Sequence, residues 1–165
     1  MDVLYHGLVG VAIAKGLDAS SYLPVTVSAL LPDLIGIIPF YYFKLSHALK
    51  KPEGKRIKTL YLELMSNTFT NAFDAAVYRT THSLVTACLY SLILYTWFRE
   101  IWLPGTLGYL SHILIDIPTH DGEFATRVLY PYSRVTFSGS NWGKSPVLFI
   151  LFWAILGAGY LYVSG

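Results

Sequence analysis

Apolar residues run along this chain in blocks, and the short polar breaks between the blocks predict its elements. Residues 3–15 (VLYHGLVGVAIAK) are almost continuously apolar and stop at Gly16, which predicts a first short helix. Residues 21–31 predict a second, stopped by the adjacent Pro32 and Asp33, and residues 34–49 a third. Over residues 56–78 the pattern changes: Ile57, Leu60, Tyr61, Leu64 and Met65 recur at i, i+3 and i+4. That stripe belongs to an amphipathic helix, lying at a membrane interface or packed on a bundle. Residues 81–98 predict a further apolar helix, Leu103, Pro104 and Gly105 a turn, and the following residues a helix to about Asp116. Pro118 argues against continuation, so His120 is expected in a loop. Residues 119–145 read as a polar connection, and residues 146–163 (PVLFILFWAILGAGYLYV) as a last helix without a charge.

Composition turns this helical pattern into a class. The 165 residues, most simply one domain spanning 1–165, are 54% hydrophobic and only 13% charged, where soluble chains carry roughly 25% charge. Residues 146–163 reach the lower end of the ~17–25 residues that cross a bilayer, and 81–98 are similar. The expected fold is all-α, a membrane-embedded bundle whose short helices converge on one site, some of them only partly embedded. The N-terminal MDVLYHGLVGVAIAKG lacks the basic start and cleavage pattern of a signal peptide, so His6 is expected to be retained. The single cysteine, Cys88, permits no intramolecular disulfide and reads as a small packed hydrophobe.

Charge adds orientation. The net charge is only +2, yet Lys44, Lys50, Lys51, Lys55, Arg56 and Lys58 are half of the 12 basic residues. By the positive-inside rule this basic loop is cytoplasmic, in a multi-pass protein of the cell (inner) membrane. No nucleic-acid motif accompanies it, so specific nucleic-acid binding is not expected. Membrane lipids are the expected partners.

Against this background few polar residues stand in apolar surroundings: His6, Asp33, His82, His112, Asp116 and His120. GYLSHILIDIPTH (108–120) carries three of them at four-residue spacing. Burying several ionisable groups together requires a common partner. His6 and Asp33 fall at one end of one antiparallel hairpin, and His82 and Asp116 at the corresponding end of another, so both can serve one shared site. Histidine and carboxylate donors suit Zn²⁺, with Mn²⁺ or Fe²⁺ not excluded. Singly, each has a plainer reading: Asp33 could cap the following helix, and His47 is an exposed side chain beside the basic loop.

SALLPDL (28–34), YRTTHSLV (78–85) and GYLSHILIDIPTHDG (108–122), followed by LYP (129–131), resemble the membrane-bound metal-dependent hydrolase family. That family is grouped with the zinc-dependent phospholipase C and single-strand nuclease superfamily. The resemblance implies Asp33, His82, His112 and Asp116 as metal ligands, with His6 joining Asp116 at a second ion and His120 a further candidate. The chain departs from the pattern at Ile35, where the family often has an acid, and at Tyr78, where it often has a histidine. One well-formed ion and a weaker second are therefore expected. The function so implied is hydrolysis at the cytoplasmic membrane face, of a phosphoester in a lipid or small amphiphile. Asp33, Asp121 or Glu123 would be the base, and Arg127, Arg134 or the basic loop would hold an anion. The alternative is a non-catalytic membrane protein with a structural or transport metal site.

Overall fold

Blocks of apolar residues without strand alternation fold as helices. The computed structural model describes residues 3–66 and 68–165. Among them the regular elements are helical, apart from an isolated bridge between Thr126 and Phe137. α1 (Val3–Gly16) packs antiparallel on the first half of α2 (Tyr22–Leu49), and α3 (Glu53–Met65) and α4 (Ala72–Thr81) pack on its second half. α5 (Leu84–Trp97) and α6 (Trp102–Thr119) form a second antiparallel hairpin against α2, and a long connection leads to α7 (Pro146–Tyr162).

Three expected breaks are absent. α2 runs unbroken for 28 residues through both Pro32 and Pro39, so Asp33 lies within a helix and caps nothing. A proline removes a backbone hydrogen bond and crowds the preceding turn. Here α1, α4 and α6 pack around that stretch, and such surroundings let prolines persist inside membrane helices. Leu103, Pro104 and Gly105 likewise make no turn but open α6, where a proline's missing N–H would have lacked a partner anyway. α6 then continues past Asp116 and through Pro118 to Thr119, and His120 caps it, its N–H donating to the Asp116 carbonyl at 3.1 Å.

A further expectation fails in the opposite sense, because the single helix over 56–78 is two. Asn71 starts α4: its side chain accepts from the N–H groups of Phe73 and Asp74 at 2.8 and 3.1 Å. Asp74, fully buried, accepts in return from the Asn71 N–H at 3.0 Å. This reciprocal cap satisfies donors that a continuous helix would have used internally.

Close backbone approach fixes the hairpins on α2. A Cβ at Gly10 of α1 would lie 2.8 Å from the Thr26 Cα, and one at Gly108 of α6 would lie 2.8 Å from the Val25 carbonyl oxygen. Small residues at helix contacts are the packing device of membrane bundles.

The interior is more polar than the exterior. His6, Lys44, Asp74, His82, His112 and Asp116 are buried, whereas the cluster of Ala87, Tyr109 and Ile113 is small. α7 buries no residue, and Val147, Ile150 and Leu161 on it are exposed. Cys88, expected inside, is exposed on α5, in an open apolar groove that it shares with Trp102, Thr106 and Leu110 of α6. Water would penalise so much uncovered apolar surface, but hydrocarbon would not. α2 is the one described helix long and apolar enough to cross a membrane. At ~1.5 Å per residue the 14 residues of α1 or α5 extend only about 21 Å.

Lys44 also departs from expectation. It does not belong to a solvated basic loop: it is fully buried, and its ammonium donates to the Glu63 carbonyl, to the Ser66 carbonyl at 3.0 Å and to the Ser66 hydroxyl at 2.7 Å. It thereby fastens the last turn of α3 to α2.

Candidate metal centre

Four elements bring the six singled-out residues together. α1 contributes His6, α2 Asp33, the junction of α4 and α5 His82, and α6 His112 and Asp116, with His120 at its C-terminal cap. His82 follows the last turn of α4, and Ser83 begins α5 by accepting from the Thr86 N–H. The histidine is thus pinned between two helix ends.

The tautomers follow from the hydrogen bonds. His82 Nδ1 lies 2.9 Å from the Tyr78 carbonyl, and His112 Nδ1 lies 2.7 Å from the Ala29 carbonyl. A carbonyl only accepts, so both Nδ1 atoms carry hydrogen, and in the neutral rings both Nε2 atoms present lone pairs. These Nε2 atoms face each other at 3.1 Å. Two lone pairs at that distance repel unless a proton or a cation lies between them.

Two carboxylates complete the cluster. His82 Nε2 is 3.4 Å from Asp33 Oδ1 and 3.4 Å from Asp116 Oδ2. His112 Nε2 is 3.6 Å from the first and 3.2 Å from the second. Tetrahedral Zn²⁺ with ligands at ~2.0–2.2 Å separates its donor atoms by about 3.3–3.6 Å. His82, His112 and Asp116 each bring a donor atom within 4.8 Å of the others, a group that fits a divalent ion, with Asp33 beside both imidazoles. Each imidazole also has the backbone partner on its far nitrogen that metal-bound histidines usually have.

Asp116 reaches a second set of donors with its other oxygen. Oδ1 lies 3.2 Å from His6 Nε2 and 3.2 Å from His120 Nδ1. The contact with His6 lacks hydrogen-bond geometry, and neither nitrogen of this buried ring has a hydrogen-bond partner. The missing backbone partner makes this the less supported of the two sets. The His6 ring stacks on that of His112, centroids 3.7 Å apart.

A cavity of about 340 Å³ opens beside the cluster. Asp33 and His120 form its polar floor, while Phe40, Leu64, Met65 and Phe69 give apolar walls. Asp116 is buried at 1% exposure and Asp33 is 17% exposed, so Asp33 is the carboxylate that meets the cavity. Asp121 also lines it, and its Oδ1 accepts from the Asn141 side chain at 3.3 Å. Glu123, by contrast, accepts from the Phe69 N–H at 2.8 Å. His47 stands apart, its Nδ1 2.6 Å from Glu63 of α3.

The profile of the YdjM inner membrane protein family matches residues 1–164. The chain belongs to that family. No curated protein matches it, and neither does any solved structure. Membership in this inner membrane family agrees with the apolar outer surface and supplies a setting for the cluster, but it names no hydrolase chemistry. It leaves the reading of the site to the residues themselves.

Sequence reasoning missed two residues at this site. Tyr78, seen only as a departure from a histidine, stacks on His82 with centroids 3.9 Å apart and orients it through its carbonyl. Asn141, three residues before Lys144 in the polar connection, had no local pattern to mark it.

Proposed function

We propose that this inner membrane protein is a metal-dependent hydrolase that cleaves a phosphoester in a lipid or small amphiphile at the cytoplasmic face. The observation that carries the reading is the pair of Nε2 atoms facing each other at 3.1 Å between two carboxylates. The motif resemblance to membrane-bound metal-dependent hydrolases supports it independently. Asp33, His82, His112 and Asp116 would hold one divalent ion, and His6, Asp116 and His120 a second. Zn²⁺ suits these donors best. A divalent ion supplies a Lewis acid and an activated water near neutral pH.

The chain's own residues account for the rest. His82, His112 and Asp116 form a group of three donors, the kind that leaves a position open as catalytic sites do, and Asp33 beside them meets the cavity. Asp121, fixed by Asn141, can accept a proton from water within the cavity. Glu123 is already engaged by the Phe69 N–H and is the poorer base. Phe40, Leu64 and Met65 would shelter the apolar part of an amphiphile while its ester reached the polar floor. The basic residues around the start of α3 favour a cytoplasmic orientation, and with it a multi-pass topology in which the second hairpin crosses and returns.

A second reading takes Asp33 as a permanent fourth ligand of the same ion. Four protein ligands close a tetrahedron, and a closed tetrahedron is the mark of a structural ion. Metal-loaded protein, incubated with phospholipids and chromogenic phosphodiesters, separates the two. Turnover that needs metal and is abolished by Asp116→Asn supports the hydrolase. No phosphoester turnover with metal fully bound leaves the structural reading.

A further inference from the structure

Outside the metal cluster, Arg79 and Arg134 lie near enough to Arg127 to act on its charge. Arg79 is in the last turn of α4, and Arg127 and Arg134 are in the connection between α6 and α7. A backbone bond from the Leu84 N–H to the Val128 carbonyl, 2.8 Å, ties that connection to the start of α5 beside Arg79. The reciprocal bonds between Thr126 and Phe137, 3.0 and 2.9 Å, close the loop that carries Arg127 and Arg134. Among the described residues none of the three side chains makes an ion pair or a hydrogen bond to the protein, and Arg79 Nε is buried without a partner. A buried guanidinium N–H without an acceptor is costly.

The charges are mutually unfavourable. The pKa of Arg127 is drawn below its ordinary value by desolvation and then by Arg79 and Arg134, with only Tyr130 opposing. The C-terminal dipole of α4 accounts for one basic residue at Arg79, but it explains neither of the others. Arg79 also lies over the ring of Phe69, 5.6 Å from its centroid, and Phe69 is a wall of the cavity.

We propose that Arg79, Arg127 and Arg134 form a binding site for a phosphate-bearing anion, set beside the aromatic wall of the cavity. Guanidinium groups present paired N–H donors that match phosphate oxygens. The phosphate can belong to the headgroup of an anionic phospholipid or be free, and both arrive with the charge the cluster lacks. This assignment does not depend on the metal reading.

The test uses the full chain in uncharged detergent, with dihexanoylphosphatidylglycerol and inorganic phosphate as probes. Binding is read from the rise of the unfolding midpoint with probe concentration. Wild type should bind, R79Q/R127Q/R134Q should bind at least about tenfold more weakly, and K55Q/K58Q should bind as wild type does. Because the triple variant could fold poorly, Arg134→Gln alone, at the exposed edge, should weaken binding about three- to tenfold with its ligand-free midpoint unchanged. Competition by inorganic phosphate would mean that the phosphate group suffices, and its failure that the lipid is required. Wild-type affinity in both arginine variants, or no binding of either probe to wild type, would overturn the site.

Discussion

His82 gathers much of the site's logic into one side chain. Its Nδ1 is committed to the Tyr78 carbonyl, its ring is stacked on Tyr78, and its Nε2 is left facing His112. Lys44 is a comparable case with a structural outcome, since its buried ammonium satisfies the carbonyls of Glu63 and Ser66. Lys44→Met should therefore lower stability by about 1–3 kcal/mol, the cost of leaving such acceptors unpaired. Hydrogen exchange should show the loss first in residues 53–66, and uniform exchange along the chain would refute this role. The six metal candidates were legible because charged residues are conspicuous in apolar helices. Lys44 was not, because the lysines near it in sequence are solvated and only the packing of α3 on α2 sets it apart. Tyr78 was not legible either, since a tyrosine in an apolar helix has many ordinary uses.

Among the elements, the hairpins were readable from hydropathy alone, whereas their ends were not. Pro32 looked like a stop because proline disfavours helix in isolation, and packing on three sides of α2 overrides that preference. The reciprocal cap of Asn71 and Asp74 was a sequence signal that the amphipathic stripe concealed. One consequence is that Asp33, in the middle of α2, comes within 4.8 Å of donor atoms on His6 and His112, so the site depends on how closely α1 and α6 approach α2. Gly108→Val should cost about 1–3 kcal/mol by overpacking against the Val25 carbonyl. It should also reduce bound metal, because His112 lies one turn further along α6. Gly157→Ala on α7, where a Cβ meets nothing within 4 Å, should leave both unchanged. Thermal unfolding and elemental analysis of the two variants check this, and equal behaviour would contradict the packing argument.

On the scale of the whole molecule, buried polar residues and an uncovered apolar exterior fit the inner membrane family to which the chain belongs. The expected topology has residues 50–58 and residues 121–144 on the cytoplasmic side. Cysteines at Gly54 and Ser138, introduced with Cys88 replaced by serine, should resist a membrane-impermeant thiol reagent added to sealed cells. Both should react once the cells are opened. Reaction at either position from outside would overturn the proposed crossing of α5 and α6. Composition made the membrane setting legible, because lipid selects for apolar surface along entire helices.

The central claim is that the facing imidazoles and their carboxylates hold a divalent metal. Its most direct test is elemental analysis of the purified full chain beside His112→Ala, Asp116→Asn and His47→Ala. Wild type and His47→Ala should carry one to two equivalents of a divalent ion, zinc foremost, while the other two lose most of it. His47 serves as the control because it engages Glu63, away from the cluster. Equal metal content in all four proteins, or none in wild type purified without chelator and supplied with zinc, would contradict the account.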